Sequence, residues 1–219
     1  MPECMRLNIA GEAIDLYADR ALYWPARNRL CIADLHLGKD EVFRRAGIAV
    51  PRGDAAADLA RLDGLIQRSG ADTLWILGDL IHARLPQGDW QAPWREFLSR
   101  HAHMRIAVVE GNHDRALAET GLPVERLPAC VVDGPFAFQH APTPHPNTHV
   151  IAGHLHPAHR MRGLGRIPMF WLRPGITVLP AFSFFTGAYV PERTNGERRI
   201  LCDGESLFDL DAYAQNQQQ

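Results

Sequence analysis

The chain has 219 residues, 46% of them hydrophobic, with 23 Lys+Arg against 25 Asp+Glu and a formal net charge of −2. That length carries a full core, and one α/β domain over residues 1–219 is a simpler expectation than two small ones. The near-neutral balance excludes capture of a polyanion by global charge, so a nucleic-acid partner would have to meet a local basic patch.

Residues 12–24 and 29–33 alternate or run apolar and predict strands. Asp54 after Gly53 suits a helix N-cap, Leu59, Leu62, Leu65 and Ile66 recur at helical spacing, and Gly70 marks the stop. Residues 73–77 return to strand. Trp90, Trp94, Phe97 and Leu98 mark a second helix, followed by a strand at 105–109. Strand alternating with helix predicts a parallel sheet in the first half. After residue 128 the pattern changes. Strands at about 129–132, 135–139, 148–152, 167–172, 176–179 and 198–202 are separated by turn-rich stretches with no long helical segment, which predicts a second, more antiparallel sheet. The two halves together predict a four-layer αββα sandwich of two mixed β-sheets flanked by helices. Pro142, Pro144 and Pro146 stiffen one loop without marking a boundary. The Gln-rich tail from Ala214 is expected to fray.

Cys4, Cys31, Cys130 and Cys202 are far apart and form no CxxC pair. Cys31 and Cys130 sit in apolar runs, which predicts buried, reduced thiols rather than a disulfide framework or a zinc knuckle. No stretch approaches 18 apolar residues, and Met1 to Arg6 carries no apolar core of a leader. A cytoplasmic protein without a membrane span is expected.

Five polar patches each come at or just after one of the apolar runs: Asp34-Leu35-His36, Gly78-Asp79, Gly111-Asn112-His113-Asp114, His140, and Gly153-His154-Leu155-His156. Residues i and i+2 of an extended segment project from one face, so Asp34 with His36, and His154 with His156, can each share a site. Asp79 has two carboxylate oxygens and can bridge two ions. Asn112 offers a neutral amide oxygen after a glycine that lets the backbone turn. Imidazole, carboxylate and amide together suit Mn, Fe or Zn. Each patch alone is a common turn or cap; all five in this order predict strand ends converging on one divalent-metal site.

These patches resemble the motifs of the calcineurin-like metallophosphoesterase superfamily, which run D-x-H, G-D, G-N-H-[DE], H and G-H-x-H. The likeness spans about residues 30–157. It implies the same two-sheet sandwich and two ions, the first held by Asp34, His36, Asp79 and His156, the second by Asp79, Asn112, His140 and His154. It further implies a metal-bridging hydroxide as nucleophile, His113 as the acid that protonates the leaving oxygen, and Asp114 orienting its ring. Many members read G-D-x-x-D; here His82 takes the place of the second carboxylate and can itself face substrate.

The flanks Leu22 to Ala26, Ala33 to Lys39, Phe43-Arg44, Val50 to Gly53, Leu179 to Phe182 and Phe185 to Gly187 look like the bacterial DNA-ligase-associated metallophosphoesterases. That resemblance implies a manganese-dependent DNA endonuclease acting on single strands, in a repair setting with a ligase, a nuclease and a helicase. Lys39, Arg44 and Arg45 lie just beyond the first motif, where they can hold phosphate oxygens of a polymer or line a solvated helix face. Arg160, Arg162 and Arg166 can extend a basic track. Phe182, Phe184 and Phe185 can stack bases, with core packing the blander expectation, as it is for Trp75, Trp94 and Trp171. Two other functions remain open at this point: a phosphoesterase of nucleotides or other small phosphoesters, and a non-catalytic metal-binding scaffold.

Overall fold

The computed structural model describes residues 1, 3–49, 54–82, 88–112, 114, 117 and 120–216. Strands β1 (Cys4–Ile9), β2 (Glu12–Tyr17), β3 (Ala21–Trp24), β4 (Arg29–Ile32), β5 (Thr73–Leu77), β6 (Arg105–Val109) and β7 (Glu125–Leu127) form one sheet in sequence order. The first four strands are an antiparallel meander, and β4 to β7 are parallel. This first sheet is therefore mixed, as expected of the sandwich, with the parallel pairing of the strand–helix alternation confined to β4–β7.

The second sheet runs β15 (Leu207–Asp209), β14 (Arg198–Cys202), β12 (Gly165–Arg173), β13 (Ile176–Val178), β10 (His149–Ala152), β9 (Phe136–Gln139), β8 (Cys130–Asp133), with β11 (Ala158–Met161) paired to β12. It is mixed too: β9, β10 and β13 are parallel, and the remaining pairs are antiparallel. Helices α1 (Lys39–Arg45), α2 (Asp54–Ser69) and α3 (Gln91–Arg100) follow β4 and β5, and α4 (Leu210–Asn216) follows β15. The N-cap expected of Asp54 falls at the edge of the described residues. Among the described residues no helix is long and apolar enough to cross a membrane.

The period of two along each strand builds two core layers from one sheet. Leu30, Ile32, Leu74, Ile76, Ile106 and Val108 face the helices, against Leu62 and Leu65 of α2 and Trp94 and Phe97 of α3. Their neighbours Cys31, Ala33, Trp75, Leu77, Ala107 and Val109 face the second sheet and meet Phe136, Phe138, Ile151, Phe170 and Ile200. Trp75 packs edge-on against Phe138 with ring centroids 5.0 Å apart, and Trp24 meets Phe136 at 4.9 Å. A third cluster, including Val150, Met169, Trp171 and Leu201, lies on the outer face of the second sheet, where Leu210 at the start of α4 packs.

Several expectations change. The run at 12–24 is two strands turned at 18–20, with Arg20 at φ 67. The helix α1, offered by the sequence only as a solvated face for Lys39, Arg44 and Arg45, is 7 residues long and is supported by the i,i+4 pairs Arg44–Asp40 and Arg45–Glu41. The tail expected to fray begins inside α4. Cys31 and Cys202 are buried free thiols, but Cys130 is exposed, because β8 is an edge strand with its alternate residues toward solvent.

Candidate metal centre

Parallel strands present their C-terminal ends at one edge of a sheet, and ligand groups collect there. Asp34 follows β4, Asp79 follows β5, Asn112 follows β6, His140 follows β9, and His154 and His156 follow β10. The segments beyond β4 and β5 stay zipped, with the His36 N–H donating to the Asp79 carbonyl at 2.8 Å and Leu37 N–H to Leu80 at 2.8 Å. That carries the two segments side by side across the top of the sandwich.

Two sets of side chains bring one ligand atom each within 4.8 Å of one another: Asp34, His36 and His156 in one, Asp79, His140 and His154 in the other. Asn112 adjoins the second set, its Oδ1 at 2.8 Å from His140 Nε2. The sets touch, since His140 Nδ1 lies 3.8 Å from Asp34 Oδ1 and the His154 N–H donates to Asp34 Oδ2 at 2.8 Å. All seven residues singled out as ligand candidates in the sequence are thus brought together. The i,i+2 spacing works differently from the extended geometry expected of it. Asp34, His36, Asp79, His154 and His156 all have φ between 49° and 71°. These left-handed turns aim Asp34 and His36 into one set but split His154 and His156 between the two. Such backbone costs about 1–3 kcal/mol per non-glycine residue and persists only where the surroundings hold it.

The donor chemistry fits cations. His140 Nδ1 sits 3.0 Å from the Leu77 carbonyl, and His156 Nδ1 sits 3.1 Å from the Gly187 carbonyl. Each Nδ1–H donates to that oxygen, which leaves the Nε2 lone pair turned inward. There His140 Nε2 faces Asp79 Oδ1 at 3.5 Å, and His156 Nε2 faces Asp34 Oδ1 at 3.4 Å. Asp34 Oδ1 is buried and has no hydrogen-bond partner. In both sets a ring lone pair thus faces a carboxylate oxygen, an arrangement that a cation among them would relieve. Burial, and then the neighbouring His140, pushes the His154 imidazole below its ordinary value, toward the neutral form that ligates. Glycine is required at three places beside the cluster: Gly78, at φ 78 with no room for a Cβ against the His140 ring, Gly111 and Gly153. A Cβ on Gly111 would come 2.6 Å from the Asp79 nitrogen, and one on Gly153 would come 2.6 Å from Asp34 Oδ2.

The family model described as calcineurin-like phosphoesterase matches residues 28–203. The chain belongs to the calcineurin-like phosphoesterase family. Among solved structures it is similar to the Pseudomonas putida nuclease MPE, at 35% identity and TM-score 0.82, covering 94% of this chain and 100% of that one. A second likeness, to the phosphoesterase Yfce of E. coli, is distant: 19% identity and TM-score 0.44, over 82% of this chain and 96% of that one. No curated protein matches. The chain is therefore a metal-dependent phosphoesterase.

The other candidate residues singled out in the sequence fall as follows. His113 lies outside the described residues. Asp114 is buried, and its described partners are all backbone: it accepts from the N–H groups of Asp79 at 2.7 Å, Leu80 at 2.9 Å, Ile81 at 3.4 Å and Gly111 at 3.1 Å. Burial pushes its carboxyl up to about 6, with the Asp79 charge adding and those donors opposing. Lys39 is half-buried at the start of α1, where desolvation lowers its ammonium and the charges of Asp34 and Asp79 oppose that. The His82 ring stands 5.1 Å from His36 and stacks at 6.2 Å on Phe43. Arg44 and Arg45 turn to Asp40 and Glu41 of their own helix, at 2.7 Å and 2.6 Å. The carbonyls of Leu77 and Gly187, which set the imidazole tautomers, were not found in the sequence, since a main-chain oxygen leaves no residue signal.

Proposed function

We propose that this phosphoesterase is a binuclear phosphodiesterase that cuts single-stranded DNA in a repair setting, with manganese as the working metal and the whole chain acting as one catalytic domain. The observation that carries the metal reading is the inward meeting of acceptors, His156 Nε2 on Asp34 Oδ1 and His140 Nε2 on Asp79 Oδ1. On this reading Asp34, His36, Asp79 and His156 hold one ion and Asp79, Asn112, His140 and His154 the other, with Asp79 shared. Two divalent ions there supply Lewis-acid charge against phosphate oxygens and an activated water near neutral pH.

The chain's own groups do the rest. Lys39 and His82 sit beside the Asp34–His36 set and hold phosphate oxygens of the substrate. His113 gives its proton to the leaving oxygen. Asp114 fixes the Asp79 segment through three N–H groups and Gly111 through a fourth. The similarity to a nuclease at 35% identity supports a nucleic-acid substrate, and the flanking motifs support DNA.

The test is a matrix of metals against substrates: single-stranded circular DNA, a small chromogenic phosphodiester, and mononucleotides. Nicking of the circle with manganese is expected, and turnover of mononucleotides without nicking would replace this reading with a small-phosphoester one. His113→Ala should keep its metal yet lose turnover by roughly 10²–10⁴-fold, the span of a general acid. Wild-type turnover in that variant would remove His113 from the mechanism.

A further inference from the structure

Beside the His156 end of the centre lies a groove of about 210 Å³ whose lining includes Arg20, His156, Arg166, Phe184 and Thr186. Two features of it are not accounted for by packing alone. The first is Arg20. Three arginines among the described residues are buried: Arg20, Arg29 and Arg199. Arg29 pairs with Asp133 at 2.8 Å and Arg199 with Glu197 at 2.6 Å. Arg20 makes no ion pair among the described residues. Its Nη1 donates only to the carbonyls of Ala181 and Ser183, and its Nε has no partner. A buried guanidinium with no carboxylate at ion-pair distance, in the wall of an open groove, adds positive charge there, with Asp58 and Asp19 acting on it only from farther off.

The second feature is Phe184, a large apolar side chain that is 55% exposed. It is nevertheless held firmly. The guanidinium of Arg61 lies 3.9 Å from its ring centroid and that of Arg20 4.3 Å. Asp58 pairs with Arg61 at 3.0 Å and so steadies that guanidinium against the ring. Packing would bury such a ring; here the supports fix it at the surface instead.

We infer that the groove is a nucleotide subsite, taking the nucleotide next to the scissile phosphate with its base on Phe184 and its phosphate in the field of Arg166 and Arg20. The inference rests on the DNA reading above and deepens it. A base can lie flat on Phe184 only when it is not stacked in a duplex, so the subsite selects single strands. It reads stacking and charge rather than base edges, so it tolerates any sequence.

The test uses a labelled single-stranded oligonucleotide carrying 2-aminopurine, bound to the EDTA-treated protein and followed by anisotropy and by quenching of the base. Phe184→Ala should weaken binding about 5- to 150-fold, the loss of one base–aromatic stack, and abolish the quenching, while Phe184→Trp restores both. Arg166→Ala, at an exposed site, should weaken binding and lower the slope of log K against log salt by about 1. In manganese, the ratio of oligonucleotide to small-diester turnover should fall in both variants. Wild-type protein that binds the oligonucleotide, with Phe184→Ala and Arg166→Ala binding equally well, would overturn the subsite and leave the DNA reading standing. Wild-type protein that hydrolyses the small diester but neither binds nor cuts the oligonucleotide would overturn both.

Discussion

Asp114 shows how one side chain positions another from a distance in sequence. Its two oxygens take four backbone N–H groups, three of them on the segment from Asp79 to Ile81. Removing the carboxylate leaves those buried donors without partners, at about 1–3 kcal/mol for each. Asp114→Ala should therefore lower the urea midpoint and release the Asp79 carboxylate from its place, with metal content by elemental analysis falling below wild type. A variant that melts and binds metal like wild type would show that the segment holds itself. This role was not legible in the sequence, because the donors lie up to 35 positions away and backbone N–H groups look alike in every residue. The ligand types were legible, since Asp, Asn and His in that order after apolar runs have few other uses. The left-handed φ of Asp34, His36, Asp79, His154 and His156 was not, because Asp and His tolerate that conformation better than most residues yet adopt it in only a minority of places, so residue type does not say where.

Elements carried a stronger signal than their connections. The central strands β4, β5 and β6 were readable because both of their faces are buried, which leaves continuous apolar runs. The edge strand β1 and the three-residue β7 and β15 were not predicted, because short or half-exposed strands dilute the pattern. In the second sheet the element that joins β12 to β14 is legible only in three dimensions. Glu197 accepts from Trp171 Nε1 at 2.8 Å, Arg199 Nε at 2.6 Å and Thr194 Oγ1 at 2.9 Å. Burial alone would raise its carboxyl, but those donors together outweigh it and hold the group below its ordinary value of 4.5. A carboxylate with a depressed folded pKa contributes stability that is fully present above the unfolded value and lost as pH falls through the folded one. Wild type should therefore exceed Glu197→Gln in urea midpoint at pH 7, and the gap should narrow below about pH 4.5. A gap constant from pH 7 to about pH 3 would mean that Glu197 acts through packing and not through its charge.

At the scale of the whole molecule, the candidate ligands divide between the sheets. Asp34, His36, Asp79 and Asn112 follow strands of the first, and His140, His154 and His156 follow strands of the second. Between the sheets the contact is mostly apolar, built from residues such as Trp75, Phe138 and Ile151, with the Arg29–Asp133 ion pair joining β4 to β8. On the proposed ligand set, an ion shared across the top edge ties the two sheets together directly, and it balances the charge that the inward-facing acceptors leave exposed to one another. Binding to the folded chain alone adds about 2.7 kcal/mol at a free metal concentration 100 times Kd. For a chain of this size that corresponds to a rise of about 5–11 °C in melting temperature for each ion. Manganese added to EDTA-treated protein should produce such a rise in a thermal melt. His36→Ala and His140→Ala draw on different sheets and different ions, so each should lose part of the increment while keeping the rest. If either variant gained the full wild-type increment, its histidine would not be a ligand, and the ions would not link the sheets by that route.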